Sequence, residues 1–390
     1  PNTSLPRQRF RIIRAKHIIL ASGALERHIA FNNNDIPGVM TANASRHYLN
    51  RYGVLTGKNI VITTNNDSVY QTAIELHEAG SKVTVLDSRK DINIDLPKEI
   101  ELHLETLPYS INGSKKIESL DVCKASDKKN KNTIICDQVL VSGGWSPIVH
   151  LVSHRGIKPV WNEENLCFVP GEIKENITVV GSAKGIWNNK DCINSGIVGA
   201  NEAMNALGIH QKEISFPSVG GWSNPIDALY EVKSNKFPSK SFIDFQHDVT
   251  AEDVRLAHRE GFVSVEHLKR YTTLGMANDQ GKMGNIIGLS LMAEQLDKTI
   301  PEVGTTVFRP PYTPVPIGAL TGRNVDKHFR PLRVTPMHQW NIDHGAKMID
   351  VGLYQRPWYY PQNNETLSDS YIREATIVRK KVGICDVTSL

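Results

Sequence analysis

The sequence contains few cysteines, and no two of them stand at a metal-binding spacing. The five cysteines are odd in number and far apart, and none forms a C-x-x-C motif or pairs with a histidine as in a zinc site. Free thiols are typical of proteins in a reducing compartment. We therefore expect a cytoplasmic protein that binds no zinc or iron–sulfur cluster. The cysteines are Cys123, Cys136, Cys167, Cys192 and Cys385.

Long apolar runs and a strong charge imbalance are also lacking. No run approaches the roughly 18 apolar residues of a membrane helix, and 45 basic against 41 acidic side chains leave a formal charge of only +4. The basic stretch DKKNKN at 127–132 is typical of a solvated turn. These features predict no membrane and no nucleic-acid partner, while a hydrophobic fraction of 40% suffices for two or three packed domains.

A third absence is the glycine-rich phosphate loop that usually opens a dinucleotide-binding unit. Residues 59–87 are typical of a βαβ unit, with a strand at 59–63, a helix at 68–79 and a strand at 82–87. The first turn, however, reads TTNNDSVY instead of G-x-G-x-x-G. Asp87 stands where an acidic residue would bind a ribose hydroxyl. The pattern leaves two alternatives open for this turn: it forms a ligand site, or the unit is a scaffold that retains only the fold.

Glycine and small residues do occur in two other turns, each after an apolar strand. The first is ASGA at 21–24, and the second is GSAKG at 181–185, which is followed by a helix at 191–207 rich in glycine and alanine. That helix predicts close packing against either a cofactor or a strand. Strands FRIIRA and KHIILAS precede the first turn, and alternating short strands between 100 and 141 predict a β-meander.

Beyond residue 215 the pattern becomes helical and is interrupted by proline-rich connections. The stretch FPSVGGWSNP indicates a boundary, after which Thr250 with Asp253, Ser264 and Asn285 each predict the start of a helix. The stretch FRPPYTPVPIGAL is more extended than helical. The last 60 residues predict helices at 338–344 and 368–381 and a strand that begins at Ile384.

Several long blocks resemble the alpha subunit of heterotetrameric sarcosine oxidase. They are ASGALERHIAFNNNDIPGVMTANASRHYLNRYGV, TTNNDSVYQTA, FIDFQHDVTAEDVRLAHREGFVSVEHLKRYTTLGMANDQGK, VGTTVFRPPYTPV and TPMHQWNIDHGAKMIDVGLYQRPWYYP. The resemblance covers almost the whole chain. It implies an α/β fold, with a glutathione-reductase-like FAD/NAD(P)-binding region of two dinucleotide-binding domains, a small helical domain and the start of an α+β aminomethyltransferase-like, folate-binding domain.

The resemblance also implies a fragment that lacks the N-terminal part of the first domain and most of the last one. Its expected parts are the first dinucleotide-binding domain at 1–56 and 143–215, an inserted βαβ and meander unit at 57–142, a linker at 216–240, a helical domain at 241–300, a proline-rich linker at 301–329 and the start of the aminomethyltransferase-like domain at 330–390. We expect this fragment to be inactive alone.

The activity that the resemblance implies is oxidative demethylation of sarcosine to glycine, with hydrogen peroxide as a product and the one-carbon unit passed to tetrahydrofolate. It further implies beta, gamma and delta subunits, with sarcosine and FAD bound by the beta subunit, FMN at a subunit interface, and NAD in the alpha subunit. The alternatives are a subunit of a related N-methyl amino acid or amine oxidoreductase, and a non-catalytic dinucleotide-binding scaffold.

The resemblance places candidate site residues at four points of the chain. The two small-residue turns correspond to the places where this fold encloses its dinucleotide, and a purely structural role is the alternative. A hydroxyl-rich loop at 271–282 predicts an FMN phosphate site, with capping and turn formation as the alternative. These candidates are Ser22, Gly23, Ala24, Gly181, Ser182 and Ala183 for the dinucleotide, Thr272, Thr273 and Lys282 for FMN, and Leu390 at the edge of a folate cavity.

Overall fold

The computed structural model describes residues 8–173, 176–209, 225–235, 240–322, 325–385 and 387. The chain divides into two compact units, one of residues 14–314 and one of residues 1–13 with 315–390. This division falls inside the expected proline-rich linker. The predicted boundary at 216–225 lies almost wholly outside the described residues.

The larger unit contains a core α/β region followed by a helical region. Its strands are β1 (Ile18–Leu20), β2 (Ala24–Glu26), β3 (Val39–Thr41), β4 (Asn59–Thr64), β5 (Lys82–Asp87), β6 (Glu101–His103), β7 (Thr106–Gly113), β8 (Ile117–Lys124), β9 (Lys131–Ile135), β10 (Gln138–Ser142), β11 (Trp145–Pro147), β12 (Val160–Asn162), β13 (Cys167–Val169), β14 (Ile177–Val179), β15 (Phe242–Asp244) and β16 (Val249–Thr250). Its helices are α1 (Ala42–Tyr52), α2 (Tyr70–Glu78), α3 (His150–Ser153), α4 (Asn189–Ala206), α5 (Ala251–Arg259), α6 (Val265–Thr272), α7 (Asn285–Leu296) and α8 (Ile300–Val303).

A parallel sheet forms the centre of the α/β region, with the strand order β3-β10-β4-β5-β6. Strands β4 and β5 are almost continuous apolar or β-branched runs because both sheet faces are covered. Helix α2 buries Ala73 and Leu76 against Ile62 and Val85 on one face. Each fully buried aliphatic side chain of this kind stabilises the fold by about 1.5–3 kcal/mol.

The predicted βαβ unit and meander are both present. The meander is the antiparallel sheet β7-β8-β9, which covers the other face of the parallel sheet. Helix α4 packs against β1 and β14, in agreement with the prediction that its small residues permit close packing on a strand. The predicted strand FRIIRA is wrong, because residues 10–15 form no strand and leave Phe10, Ile12 and Ile13 exposed.

Capping explains where the helices of the second region begin. Thr250 and Asp253 form the predicted capping box of α5. Ser264 precedes α6 as predicted, but its side chain makes no capping hydrogen bond, while α7 begins at Asn285 as predicted. The four helices enclose a core that includes Ile287 and Met292.

The smaller unit contains the helix α9 (Ile317–Thr321), the strand β17 (Arg333–Val334), the helix α10 (His338–Asp343), the strands β18 (Lys347–Val351) and β19 (Tyr354–Tyr359), and the helix α11 (Leu367–Lys380). The three strands form one sheet in the order β17-β19-β18. Both predicted helices are present. The strand predicted from Ile384 is not, since residues 381–385 and 387 have no strand structure.

Candidate functional site

The two small-residue turns lie side by side at one edge of a parallel strand pair. Strand β1 pairs with β14 in a register that joins Leu20 to Val179, and the amide of Val180 donates to the carbonyl of Leu20 over 3.0 Å. Parallel strands end at the same edge of a sheet. The turns at 22–24 and 181–183, which are more than 150 residues apart in sequence, therefore follow neighbouring strand ends, where ligands of open α/β folds bind.

Each turn contains one glycine with open space beside its backbone. Gly23 and Gly181 have φ values of 79° and 65°, in the left-handed region that favours glycine. A Cβ at Gly23 would find no heavy atom within 4 Å, and one at Gly181 would meet only the sulfur of Cys192, at 4.0 Å. Among the described residues, nothing therefore prevents a ligand from approaching these two backbones.

The other residues of the turns divide between internal contacts and the neighbouring cavity. Ser22 donates its hydroxyl to the carbonyl of Ile148 over 3.1 Å, so its side chain braces the turn. Ala183 is wholly buried in an apolar cluster with Val152, which makes packing its role and corrects the predicted ligand contact. Ala24 and Ser182 line an adjoining cavity.

That cavity has a volume of about 210 Å³ and two tryptophans in its wall. The indole N–H of Trp145 donates to Ser68 Oγ over 2.9 Å, and that of Trp187 donates to Asn165 Oδ1 over 2.7 Å. Because both indole donors are engaged, the two rings are held in fixed orientations. The full lining is Ala24, Glu26, Asn43, Arg46, Ser68, Thr72, Trp145, Ser182 and Trp187.

Glu26 is the titratable group of this cavity, and the sequence did not single it out. Its side chain is 6% exposed, and its Oε2 accepts a 2.7 Å hydrogen bond from the amide of Asn43 in the first turn of α1. Burial raises the pKa of Glu26 to about 7, against the opposing effect of that hydrogen bond. A carboxyl with such a pKa exchanges its proton near neutral pH, which suits acid–base work or recognition of a neutral polar group.

The turn TTNNDSVY has a structural role, as the scaffold alternative predicts. Asp87 is wholly buried and accepts hydrogen bonds from Tyr70 and from three nitrogens of Arg89. The Asn66 amide donates to the carbonyl and hydroxyl of Ser142. Burial and these internal bonds leave Asp87 unable to bind a ribose.

Several polar atoms of the residues predicted for FMN have partners within the chain. Thr272 donates its hydroxyl to the carbonyl of Leu268, and the carbonyl of Thr273 lies 3.1 Å from His247 Nδ1. Lys282 donates instead to the carbonyls of Asp279 and Tyr312, with its ammonium 3.8 Å from the Tyr312 ring centroid. The Thr272 hydroxyl and the Lys282 ammonium thus have partners within the chain, and the assignment of this set to an FMN phosphate stays a prediction. Leu390 lies outside the described residues.

The described part of the chain contains neither a metal-binding cluster nor a membrane-spanning helix. No group of three or more His, Cys, Asp or Glu side chains there could hold a metal ion. No helix there has both the length and the apolar character that crossing a lipid bilayer requires.

Comparison with family models identifies two regions in the second half of the chain. Residues 238–323 match the sarcosine oxidase A3 domain, and residues 337–390 match the GCVT N-terminal domain. These two matches cover the predicted helical domain with its following linker and most of the predicted aminomethyltransferase-like segment.

Curated relatives match the chain over its whole length. Sarcosine oxidase subunit alpha of Rhizobium meliloti (strain 1021) is 40% identical over 396 residues, which cover 100% of this chain and 39% of the relative. The corresponding subunit of Corynebacterium sp. (strain P-1) is 36% identical, with coverage of 98% and 41%. The chain thus spans about two fifths of the length of the curated relatives that it matches.

Among solved structures, L-proline dehydrogenase from P. horikoshii is similar in fold. The TM-score is 0.58 at 20% sequence identity, over 78% of this chain and 58% of that chain. Together with the domain matches, this similarity confirms the predicted fold class, an α/β region followed by segments that match the A3 domain and the GCVT N-terminal domain.

Proposed function

Because this chain belongs to the family of sarcosine oxidase alpha subunits, we propose that it acts in oxidative demethylation of sarcosine. The products are glycine and hydrogen peroxide, and the one-carbon unit passes to tetrahydrofolate through the GCVT-type domain. The partners are beta, gamma and delta subunits, of which the beta subunit binds sarcosine and FAD. The chain alone, at two fifths of its relatives' length, is inactive.

The ligand proposed for the two turns is NAD. One observation supports it above the others, namely that Gly23 and Gly181 lie at neighbouring strand ends with open space above each backbone. The amide of Gly23 can face a pyrophosphate or ribose, while the amide of Gly181 donates to Ser195 Oγ over 3.2 Å and so leaves that turn to offer close backbone approach. Ala24 and Ser182 line the adjoining cavity. A bound nicotinamide supplies hydride-transfer chemistry.

The chain's own residues would bind and enclose that ligand. The tryptophans Trp145 and Trp187 exclude water from one side of the cavity, since their rings are fixed by hydrogen bonds. Glu26 in its protonated form can donate a hydrogen bond to a neutral polar group, and burial keeps the proton on the carboxyl up to about pH 7. Arg46 is unsuited to a phosphate because Glu75 already holds it through two nitrogens.

FMN and the cellular compartment complete the proposal. An FMN at a subunit interface is part of it, with Thr272, Thr273 and Lys282 as the candidate phosphate ligands. The five cysteines are free thiols in the structure, which is consistent with a cytoplasmic assembly.

The substrate proposal is tested with the full-length subunit co-expressed with its beta, gamma and delta partners. We expect the four subunits to co-purify and kcat/KM to be higher for sarcosine than for dimethylglycine or proline, with one peroxide formed per sarcosine consumed. Preference for either other amine would contradict the substrate assignment. Failure of the subunits to co-purify would contradict the subunit role.

The dinucleotide proposal predicts that Gly23→Ala weakens NAD binding to that assembly by about tenfold, because overpacking a ligand contact costs about 1–3 kcal/mol. Gly53→Ala is the matched control, since Gly53 also has a left-handed φ of 64° and open space around a Cβ but lies at the end of α1. Both variants lose similar stability from backbone strain. Equal NAD affinities of the two variants in calorimetric titration would refute ligand contact at Gly23.

A further inference from the structure

A second cavity of about 380 Å³ lies on the larger unit and shares no lining residue with the first. Its wall is mostly apolar and includes Val39, Met40, Val141, Phe245 and Met283. A cavity of this volume, with an apolar wall and a few polar groups, is typical of a small-molecule site. No part of the proposed sarcosine chemistry uses it.

Asp35 brings a negative charge to the wall of this cavity. The side chain is exposed, and an exposed aspartate is ionised at neutral pH. Its carboxylate has no hydrogen-bond or ion-pair partner among the residues that the structure describes. Asp35 is therefore free to bind a cation that enters the cavity.

The two other polar side chains of the inner wall do not compensate this charge. Burial lowers the pKa of His28 to about 4, against the opposing effects of the Phe242 carbonyl and of Asp244, so the ring is neutral at physiological pH. The Asn34 amide already donates to and accepts from the backbone of Phe242 over 2.9 and 2.8 Å. Neither side chain supplies a positive charge.

The beginning of helix α1 contributes a smaller charge of the opposite sign. Thr41 and Ala44 belong to the wall, and a helix N-terminus carries about half a positive charge. The amide of Asn43 in this first turn already donates to Glu26 Oε2 over 2.7 Å. The full negative charge of Asp35 exceeds this half charge, so the cavity favours a cation.

The composition of the wall indicates which kind of cation fits. A calcium ion takes six to eight oxygen ligands, and the described residues contain no cluster of three or more His, Cys, Asp or Glu side chains that could hold a metal. An ammonium with several N–H groups would leave most of them unpaired against apolar side chains. A quaternary ammonium has no N–H group and is weakly hydrated, so it suits such a wall.

Phe245 and the two methionines provide the matching apolar contacts. The Phe245 side chain is 42% exposed, and aromatic rings attract quaternary ammonium groups through their negative faces. The side chains of Met40 and Met283 are flexible and polarisable and adapt to an apolar ligand. We propose that this cavity binds a quaternary ammonium compound with an apolar body, and that Asp35 and Phe245 bind its cationic group.

The probes that test the proposal are 3-hydroxyphenyltrimethylammonium and 3-tert-butylphenol, which have nearly the same shape and differ in charge. In calorimetric titration of the full chain, the cation is expected to bind at one site per chain. Its affinity should fall as the salt concentration rises, because salt screens an exposed carboxylate, while that of the phenol should not. No binding of the cation, or an equal salt dependence for both probes, would overturn the proposal.

Asp35→Asn keeps the size of the side chain and removes its charge. The ratio of the cation affinity to the phenol affinity should fall about fivefold, which corresponds to about 1 kcal/mol for an exposed ion pair. Phe245→Leu should lower the same ratio about threefold. Asp91→Asn is the matched control, because Asp91 is also exposed but does not line this cavity. An unchanged ratio in Asp35→Asn or Phe245→Leu, or an equal fall in Asp91→Asn, would overturn the proposal.

Discussion

Replacing Asp87 with asparagine is expected to lower the free energy of unfolding of the larger unit by about 3–5 kcal/mol. Asp87 is wholly buried at the end of β5. Its carboxylate accepts from the Tyr70 hydroxyl over 2.6 Å and from Arg89 Nη2 over 2.7 Å. The substitution removes one of two carboxylates that compensate the buried Arg89 guanidinium, the other being Asp67. It also places an amide group where only acceptors fit.

The free energy of unfolding is measured by urea titration, with the fluorescence of the larger unit as the signal. Glu101→Gln is the control, because Glu101 on the neighbouring strand β6 pairs with His103 at the surface, where an ion pair contributes about 0–1 kcal/mol. A double variant with Arg89→Met should recover part of the loss, since it also removes a buried cation that has lost one of its two carboxylate partners. If Asp87→Asn lowers the free energy of unfolding no more than Glu101→Gln does, the Asp87–Arg89 ion pair does not stabilise the larger unit.

This structural role of Asp87 could not be foreseen from the turn motif. An acid at the end of the second strand of a βαβ unit is the position expected for a ribose contact. What decides its role is Arg89, two residues further on, and Tyr70 on α2, whose side chains reach the carboxylate only after the unit has folded. Sequence position alone does not report which side chains turn inward.

Local patterns predicted the helices and strands well where the periodicity was strong. Helix α2 and strands β4 and β5 match their predicted limits within two residues, because their apolar spacing and the flanking turn are local signals. The strand predicted for FRIIRA is wrong because its formation does not depend on local signals alone. Its apolar side chains satisfy the strand pattern, but strand formation requires a partner strand, and the described residues offer none to residues 10–15.

The candidate site was predicted only in part, because only some of its residues carry a local sequence signal. Small residues at two strand ends identified both turns, and the parallel pairing of β1 with β14 brought them together. Glu26, Trp145 and Trp187 come from three distant segments, and only tertiary packing gathers them around one cavity. The sequence signal for Glu26 is its position two residues after the small-residue turn, at the end of the short strand β2.

Glu26 gives the stability of the larger unit a distinctive pH dependence. Its pKa is raised from 4.5 to about 7 in the folded chain, so between these values the folded state binds a proton that the unfolded state has lost. The free energy of unfolding therefore falls as pH rises through this window, by about 2–3 kcal/mol between about pH 5 and 8. Glu26→Gln, which cannot titrate, should lack this contribution, as urea unfolding at several pH values would show.

Glu75→Gln is the control of opposite sign. Hydrogen bonds from Arg46 lower the pKa of Glu75 to about 2, so its contribution is present above pH 4.5 and is lost as pH falls toward 2. The difference in the free energy of unfolding between the unaltered chain and Glu75→Gln should therefore stay constant from pH 5 to 8. The corresponding difference for Glu26→Gln should fall over the same range. An infrared carboxyl band that is absent from Glu26→Gln should titrate near pH 7. A titration near pH 4.5 would mean that burial does not perturb Glu26, and the cavity would then hold an anion at neutral pH.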